Sequence, residues 1–339
     1  MPRGYVACGG LVVGGALLRV LVKKLYSIPI VGEWFQQISY ERNVGKMVEH
    51  NSLYITDEER AAELGRVYRQ KIGRELNLEN PVSYTEKMQW SKLYDCTETK
   101  GMLTDKYAVR EWIKQKIGEK YLIPLLAVYD SPDDIEYKNL PDEFVIKMNN
   151  GSATNIICTN KRKLNKSLVK RKLNYWLKTP FSMMSWFEMH YDYIKPKILI
   201  EKYMHDEKTD DLRDYKFLCF DGVPYYVWVD FNRNTAHSRK VFNMNWELQE
   251  WNQFNYEKRN IDVPRPETFN EMVKIVEILS EGFSHVRVDL YEINGKVYFG
   301  EMTFTNASGF EKIEPYEMDI KLGNLWDLHK ENGIYVNGR

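Results

Sequence analysis

VRVDLYEINGKVYFGEMT, residues 286–303, has the pattern of two β-strands joined at Asn294-Gly295. Apolar and polar residues alternate on both sides of that dipeptide, and Asn-Gly is the strongest short signal of a hairpin turn. A second hairpin is predicted at Asp221-Gly222, between strands 214–220 and 223–231. Because hairpins join antiparallel strands, the sequence predicts an antiparallel sheet rather than a doubly wound parallel one.

The first hairpin contains two acidic residues whose relative orientation depends on its turn. If Asn294-Gly295 is a strict two-residue turn, Asp289 and Glu301 point to opposite faces of the sheet. A three-residue loop over 293–295, with Gly295 left-handed and a bulge beside it, shifts the register by one residue. We therefore predict this bulged turn, which makes Asp289 and Glu301 diagonal neighbours on one face.

On that face the two carboxylates would lie beside Arg287 and Thr303. Carboxylate pairs suit a hard divalent cation such as Mg²⁺, which takes one or two of them together with phosphate oxygens and water. The alternative is an Arg287-Asp289 ion pair on a solvated sheet face.

Further upstream, the strand Phe144–Met148 carries Lys147 and runs into the polar loop NNGSATN, residues 149–155. A lysine followed by small residues with free backbone N–H groups suits a polyphosphate. The alternative is a surface hairpin whose lysine extends to solvent. No Walker loop is present.

A third group of polar residues lies between these two motifs. Glu201 and Lys202 belong to a predicted strand over 198–203, and Lys216 belongs to the strand over 214–220. The predicted loop over 230–240 contains a basic group that could bind an anion: Arg233, His237, Arg239 and Lys240. A basic surface loop that balances nearby acids is an equal alternative.

Composition restricts the class of protein. The 339 residues, 43% of them apolar, can build a substantial core, and 48 basic against 48 acidic residues argue against a nucleic-acid partner. The four cysteines have no metal-ligand spacing. Helices are predicted from Thr56 through Ile72, over 84–94, from near Thr104 to Ile117, and over 166–177, 267–281 and 316–328. Further strands are predicted over 122–129, 143–148 and 155–159.

The amino terminus differs from the rest of the chain. Residues 5–18 are uncharged and largely apolar, and Arg19, Lys23 and Lys24 follow. This predicts membrane contact through residues 5–24, with a core helix or a frayed terminus as alternatives. The body is predicted in the cytoplasm, at the inner face of the membrane where residues 5–24 contact it. We predict an apolar segment over 1–30, a helical part over 31–120, and two lobes over 121–200 and 201–339.

The order of these motifs resembles the TupA-like branch of the ATP-grasp superfamily, which is associated with teichuronopeptide and other surface-polysaccharide biosynthesis. The resemblance covers residues 84–328 and rests on TDKYAVREWI, FVIKMNNGSATN, ILIEKYM, DYKFLCFDG and the hairpin with its continuation to Phe310. It implies an α+β fold of ATP-grasp architecture, with antiparallel sheets and flanking helices, and it implies ATP and Mg²⁺ as cofactors.

The resemblance also implies a role for individual residues. Lys106 and Lys147 would hold the ATP phosphates, under a loop formed by Asn149, Asn150, Gly151, Ser152, Ala153, Thr154 and Asn155. Glu201, Lys202 and Tyr203 would bind adenine through backbone groups, and the ribose acid would be one of Asp206, Glu207, Asp210 and Asp211. Lys216 would approach the phosphates, Arg287 would face the transferred phosphoryl group, and Asp289 and Glu301 would bind Mg²⁺. Thr303 stands where many ATP-grasp enzymes have Asn, so Asn306 is an alternative third ligand.

The function implied is an ATP-dependent carboxylate–amine ligase of surface or capsular polysaccharide biosynthesis. It would act on a sugar or amino-acid carboxylate, with Arg233, His237 and Arg239 as further candidate catalytic residues. One alternative is a glycosyltransferase, against which the chain contains no D-x-D signature. The other is a non-catalytic nucleotide- or sugar-binding scaffold.

Overall fold

The computed structural model describes residues 29–207, 212–231, 237–253 and 262–328. The chain divides into two compact units, residues 1–47 and 48–339. The first described helix is α1 (Pro29–Asn51), in which the Gln37 amide donates to the Glu41 carboxylate one turn later, at 3.0 Å. The predicted apolar segment over 5–24 lies outside the described residues. In the part of the chain that is described, no helix is long and apolar enough to span a bilayer.

Two of the predicted helices in the amino-terminal part are confirmed, and both begin with a capping box. In α2 (Asp57–Ile72) the side chains of Thr56 and Glu59 cap each other's backbone N–H groups. In α3 (Tyr84–Tyr94) Ser83 and Glu86 do the same. These caps satisfy backbone donors that a helix otherwise leaves unpaired at its first turn.

The third helix was predicted from near Thr104 to Ile117, and the structure confirms its main part but not its start. The chain forms α4 (Glu98–Thr104) and α5 (Val109–Lys116), separated by a turn. The turn forms because the Asp105 carboxylate accepts the backbone N–H groups of Tyr107 and Ala108, at 2.7 and 3.1 Å. This break places Lys106 between the two helices.

The strands form antiparallel sheets, which confirms the predicted α+β class. A four-stranded sheet has the order β1-β4-β2-β3 and consists of β1 (Leu125–Tyr129), β2 (Phe144–Met148), β3 (Asn155–Cys158) and β4 (Ile198–Lys202). A five-stranded sheet has the order β10-β9-β5-β6-β7 and consists of β5 (Asp214–Phe220), β6 (Val223–Phe231), β7 (Ser238–Asn243), β9 (His285–Ile293) and β10 (Lys296–Thr303). A short pair joins β8 (Asn252–Gln253) to β11 (Ile313–Glu314).

Helices α6 (Lys166–Lys178), α7 (Phe181–Met184), α8 (Phe269–Ser280) and α9 (Tyr316–Leu325) complete the fold. One face of the five-stranded sheet packs against α8, through residues such as Phe217, Val288 and Met272. The opposite face packs part of its area against α3 and α9, around Trp228 and Trp326. The rest of that opposite face carries charged residues.

The prediction of a bulged turn in the β9–β10 hairpin was wrong, but the prediction that Asp289 and Glu301 share one face is confirmed. Ile293 pairs with Lys296, so the loop is the strict two-residue turn, with Asn294 and Gly295 both left-handed (φ 52° and 72°). The register shifts further along the hairpin, where Phe299 pairs with Leu290 but Glu301 pairs with Asp289.

Gly300 is the extra residue of this β-bulge. A Cβ atom at Gly300 would lie 2.9 Å from the Asp289 carbonyl oxygen, so the bulge has no room for a side chain. Asp289 and Glu301 thereby become direct cross-strand partners on one face, rather than the diagonal neighbours that were predicted.

Candidate active site

A cleft between the two sheets brings together predicted site residues from both. Its lining includes Lys106, Lys147, residues 151–155, Glu201, Lys216 and Glu301. The four-stranded sheet supplies Lys147 and Glu201, and the five-stranded sheet supplies Lys216 and Glu301. The cleft is therefore lined by charges from two separate parts of the chain.

On the wall formed by the four-stranded sheet, Glu201 is the common partner of two cations. Because Val145 pairs with Glu201 and Lys147 with Leu199, the side chains of Lys147 and Glu201 come from neighbouring strands. The Lys147 ammonium lies 2.7 Å from one Glu201 oxygen, and Arg110 lies 3.3 Å from the other. Arg110 also donates to the Ile123 carbonyl at 2.8 Å.

Lys106 connects this wall to the acidic hairpin. Its backbone N–H donates to the Asn149 carbonyl at 3.1 Å, and its ammonium donates to the Gly151 carbonyl at 2.6 Å. The same ammonium lies 3.9 Å from Glu301. Burial lowers the pKa of Lys106, and the negative charge of Glu301 offsets part of that effect.

The loop after Lys147 contains an anchor and an exposed tip. The Asn149 amide donates to Asp105 at 2.9 Å and to the Lys195 carbonyl at 3.0 Å, and its oxygen accepts from the Lys197 N–H at 2.6 Å. The Asn149 side chain is thus fully hydrogen-bonded at the start of the loop, and Asn150 lines a separate small cavity together with Trp176 and Phe181. Ser152 and Ala153 form the exposed tip, and Gly151 and Thr154 are buried beside it.

On the opposite wall, Lys216 lies between two carboxylates. Its ammonium is 2.5 Å from Asp214 and 2.5 Å from Asp289, and all three residues are almost completely buried. Burial alone would lower the pKa of Lys216, but the two carboxylates raise it above its usual value. Lys216 is therefore a fixed positive charge in the cleft.

Arg287 lies at the centre of the acidic hairpin. It forms a two-point contact with Asp289, at 2.7 Å for each N–O pair, and it donates to Glu301 at 2.9 Å and to the Thr303 hydroxyl at 3.0 Å. Its remaining terminal nitrogen donates to the Asn306 amide oxygen. Four oxygen-bearing side chains thus converge on one cationic group.

The pKa values of the two carboxyl groups on this hairpin move in opposite directions. Burial raises the pKa of Asp289 to about 6, despite the nearby Arg287 and Lys216. Burial would also raise that of Glu301, but Lys106, Arg287 and Lys216 together lower its pKa to about 2. Glu301 is therefore ionised at neutral pH and remains partly accessible from the cleft, with 34% of its side chain exposed.

The side-chain oxygens around Arg287 are of the kind that bind a hard divalent cation. Carboxylate and amide oxygens are the ligands of Mg²⁺ and Ca²⁺, and Mg²⁺ commonly uses only one or two carboxylates from the protein. Among the described residues, no three His, Cys, Asp or Glu side chains are grouped so as to hold a metal by themselves. The Asp289 and Glu301 carboxylates and the Asn306 amide supply such oxygens, so the residues present fit a cation that also binds phosphate and water.

The predicted anion-binding loop has a different structure from the one expected. Arg239 lies on β7 and not in a loop, and it forms a two-point contact with the buried Asp230, at 2.6 and 2.8 Å. Burial alone would raise the pKa of Asp230, but Arg239 holds it well below its usual range. His237 lies 3.3 Å from the same carboxylate, and Arg233 is outside the described residues. The structure thus places Arg239 and His237 beside Asp230, which pairs with the cleft residue Asp214 on the neighbouring strand.

The remaining nucleotide candidates lie near the end of β4. Lys202 is exposed, and Tyr203 stacks on His205. Asp206 accepts the Asn294 N–H at 2.6 Å, and the Asn294 side chain accepts the Glu207 N–H at 2.9 Å. Asp210 and Asp211 lie outside the described residues.

Sequence reasoning missed two charged residues of the cleft. Arg110 follows Lys106 by four residues, and both side chains line the cleft, so helical spacing could have identified Arg110. Asp214 precedes Lys216 by two residues, so β-strand alternation could have identified it as a partner on the same face.

Comparison with known proteins identifies the family to which the chain belongs. A family model described as TupA-like ATPgrasp matches residues 86–327. Among curated proteins no match is found. One similar solved structure is a D-alanine–D-alanine ligase from Bacillus anthracis complexed with ATP, with 14% identity, a TM-score of 0.36 and 66% of each chain covered. Another is a D-alanine–D-alanine ligase from Helicobacter pylori, with 12% identity and a TM-score of 0.38, over 72% of this chain and 68% of the ligase. A phosphoribosylamine–glycine ligase from Thermotoga maritima has 12% identity and a TM-score of 0.37, over 61% of this chain and 48% of that chain. The chain thus spans just under two thirds of the length of the first of these ligases.

Proposed function

The chain belongs to the TupA-like ATP-grasp family, and on that premise we propose that it is an ATP- and Mg²⁺-dependent carboxylate–amine ligase. One observation carries the proposal: Asp289 and Glu301 are direct cross-strand partners beside Arg287 and Lys216. Across the cleft from them lie Lys147 and the 151–155 loop. This arrangement offers a phosphate-binding wall and a wall that can hold a cation.

In the proposed reaction, a carboxylate oxygen of the substrate attacks the γ-phosphorus of ATP. The bond from that phosphorus to the β,γ-bridging oxygen breaks, and ADP leaves. An amine then attacks the acyl carbon, phosphate leaves, and the amine nitrogen loses a proton as the amide forms. Such phosphoryl transfer depends on positioning and on neutralising charge more than on covalent chemistry by the protein.

The residues of the cleft would share this work. Lys106 and Lys147 would bind ATP phosphates and exchange their present carbonyl and carboxylate partners for phosphate oxygens. Lys216 and Arg287 would lie beside the transferred group and stabilise its negative charge. Glu301 and Asp289, with Asn306 or Thr303, would hold Mg²⁺, which neutralises charge on the phosphates when bound.

The resemblance to the family supports a substrate from surface-polysaccharide biosynthesis, with a uronic acid or an amino acid as the carboxylate. We further propose a cytoplasmic location, where ATP is available. Membrane contact through residues 5–24 stays a prediction.

The test is a nucleotide-consumption assay with pairs of uronic acids, amino acids and amines, in which ADP, AMP and UDP are measured separately. We expect ADP and phosphate to form in equal amounts, only when Mg²⁺ and a carboxylate are present. Lys216→Met serves as the inactive control. Release of UDP from a UDP-sugar, without ADP, would instead identify a glycosyltransferase.

A further inference from the structure

Residues 161–178 are strongly basic. They contain no acidic residue, in a chain whose basic and acidic residues are equal in number. Eight of them carry a positive charge: Lys161, Arg162, Lys163, Lys166, Lys170, Arg171, Lys172 and Lys178. Because the segment does not balance this charge itself, it favours a negatively charged partner.

Helix α6 separates these charges from its apolar residues. Its buried residues are all apolar: Leu168, Val169, Leu173 and Trp176. By contrast, Lys166, Lys170 and Lys178 are exposed. The helix thus packs an apolar face on the protein and presents a basic face to solvent.

The charges at the start of α6 do not help the helix to form. Asn165 caps it, since the Leu168 N–H donates to the Asn165 side chain at 3.1 Å, but the first turn begins with Lys166 and has no acidic residue. Arg162 and Lys163, both exposed, come just before it. The amino end of a helix carries partial positive charge, so cations there lower its stability. Helix formation therefore does not explain these residues, whereas a negatively charged partner would.

The contacts of three of these lysines neutralise little of their charge. Lys170 pairs with Asp133, but the two side chains are 52% and 61% exposed, and exposed ion pairs are weak. Lys161 donates to the uncharged Leu140 carbonyl, and the Lys166 ammonium lies 4.9 Å from the centre of the Tyr137 ring. The basic face therefore keeps most of its charge available.

Helix α6 lies on the face of the four-stranded sheet that is turned away from the cleft. Trp176 lines a small cavity together with Met148 of β2, whereas Lys147, the preceding residue of that strand, reaches Glu201 in the cleft. Successive side chains of a strand point to opposite faces of the sheet. A partner on the basic face would therefore leave the cleft open. Because a substrate must reach the cleft, this position favours a docking surface over a substrate site.

We propose that the basic face of α6, with Arg162 and Lys163 before it, docks the protein on an anionic phospholipid surface. Lysines on flexible side chains attract a layer of lipid phosphates without the fixed geometry that one small anion requires. Clusters of about four to eight basic residues on an amphipathic helix are typical of such contact, and each residue raises the affinity about fivefold. This surface is separate from residues 5–24, whose predicted contact is apolar, and it does not depend on the proposed reaction.

Co-sedimentation of the full chain with lipid vesicles tests this surface. We expect phosphatidylcholine vesicles with about 30% phosphatidylglycerol to bind the wild type at least tenfold more tightly than vesicles of phosphatidylcholine alone. The test variant neutralises four exposed lysines: Lys163→Gln, Lys166→Gln, Lys170→Gln and Lys178→Gln. Its affinity for the anionic vesicles should fall at least thirtyfold. Its affinity for phosphatidylcholine alone, which measures apolar contact, should stay within twofold of the wild type.

The matched control neutralises four exposed lysines from other parts of the chain: Lys114→Gln, Lys274→Gln, Lys296→Gln and Lys321→Gln. It removes the same net charge and should keep its affinity for the anionic vesicles within threefold of the wild type. Asp133→Asn removes the acid beside Lys170 and should tighten binding at least twofold, which tests the surface even if the quadruple variant fails to fold.

Three results would overturn the inference. If the test variant binds the anionic vesicles within threefold of the wild type, or if the control loses as much affinity as the test variant, this face is not the docking surface. If the wild type binds soluble polygalacturonate but neither kind of vesicle, the face binds an acidic glycan instead. None of these results bears on the ligase reaction, which the nucleotide-consumption assay tests separately.

Discussion

Replacing Gly300 by alanine tests how the hairpin brings its two carboxylates together. The added Cβ would lie 2.9 Å from the Asp289 carbonyl oxygen and 3.0 Å from a ring carbon of Tyr291, where ordinary contact begins at 3.4 Å. To bring the Cβ of residue 300 into ordinary contact with the Asp289 carbonyl oxygen, β10 must therefore move away from β9 by about half an ångström at the bulge. Overpacking of this kind typically costs about 1–3 kcal/mol.

We expect Gly300→Ala to lower the free energy of unfolding by about 2 kcal/mol, which corresponds to a fall in Tm of about 4–8 °C. Because β10 shifts against β9, Glu301 also moves relative to Asp289. The affinity for AMP-PNP in the presence of Mg²⁺ should fall at least tenfold, and the affinity without Mg²⁺ should change little. Calorimetric titration well below the Tm measures both.

Gly295→Ala is the matched control on the same hairpin. Gly295 is left-handed, but an added Cβ would have nothing within 4 Å, so only backbone strain of about 1 kcal/mol is expected. The bulge and the metal-dependent affinity should be unaffected. If Gly300→Ala costs no more than Gly295→Ala and retains its Mg²⁺-dependent affinity, Gly300 does not set the register of the carboxylates.

Two further predictions concern the phosphate loop and acid stability. Hydrogen exchange at residues 151–153 should be fast without nucleotide and should slow with Mg·AMP-PNP, since Ser152 and Ala153 form an exposed tip; equal protection in both states would leave a plain surface hairpin. His285 is buried, with its Nδ1–H donating to the Cys219 carbonyl at 2.8 Å and its Nε2 accepting from Tyr84 at 3.1 Å, and burial lowers its pKa to about 3. Below pH 6.5 the unfolded chain binds a proton at this residue that the folded chain does not, so stability falls as pH falls, by up to about 1.4 kcal/mol per pH unit. Urea unfolding of His285→Gln between pH 6.5 and 4.5 should show a shallower decline than the wild type, and equal slopes would show that His285 does not cause it.

Sequence alone predicted which side chains share a face of a strand, because strand periodicity is a short-range property. Alternation placed Arg287 and Asp289 on one face, and the positions of Lys147 and Lys216 followed from their strands. A one-residue shift of register is needed to place Asp289 and Glu301 on one face, and the structure confirms such a shift. The shift was predicted at the turn, because a glycine inside a strand has no periodic signal that distinguishes a bulge from an ordinary pair.

Other features could not be derived from the sequence because they depend on long-range contacts. The pairing of Arg239 with Asp230 requires β7 to lie beside β6, and in the sequence a charged run rich in Asn and Ser resembles a loop. Lys92 has the spacing of an exposed helical lysine, yet the turn at Ser308 packs over it. Only the fold brings these groups together.

The central claim is that the cleft binds ATP through a metal held by the hairpin carboxylates, and its most direct test is a calorimetric titration with AMP-PNP, with and without Mg²⁺. We predict one binding site per chain, with Mg²⁺ raising the affinity at least tenfold in the wild type and less than twofold in Glu301→Gln. UDP-glucose should not bind. Binding of UDP-glucose without binding of AMP-PNP, or an unchanged effect of Mg²⁺ in Glu301→Gln, would contradict the claim.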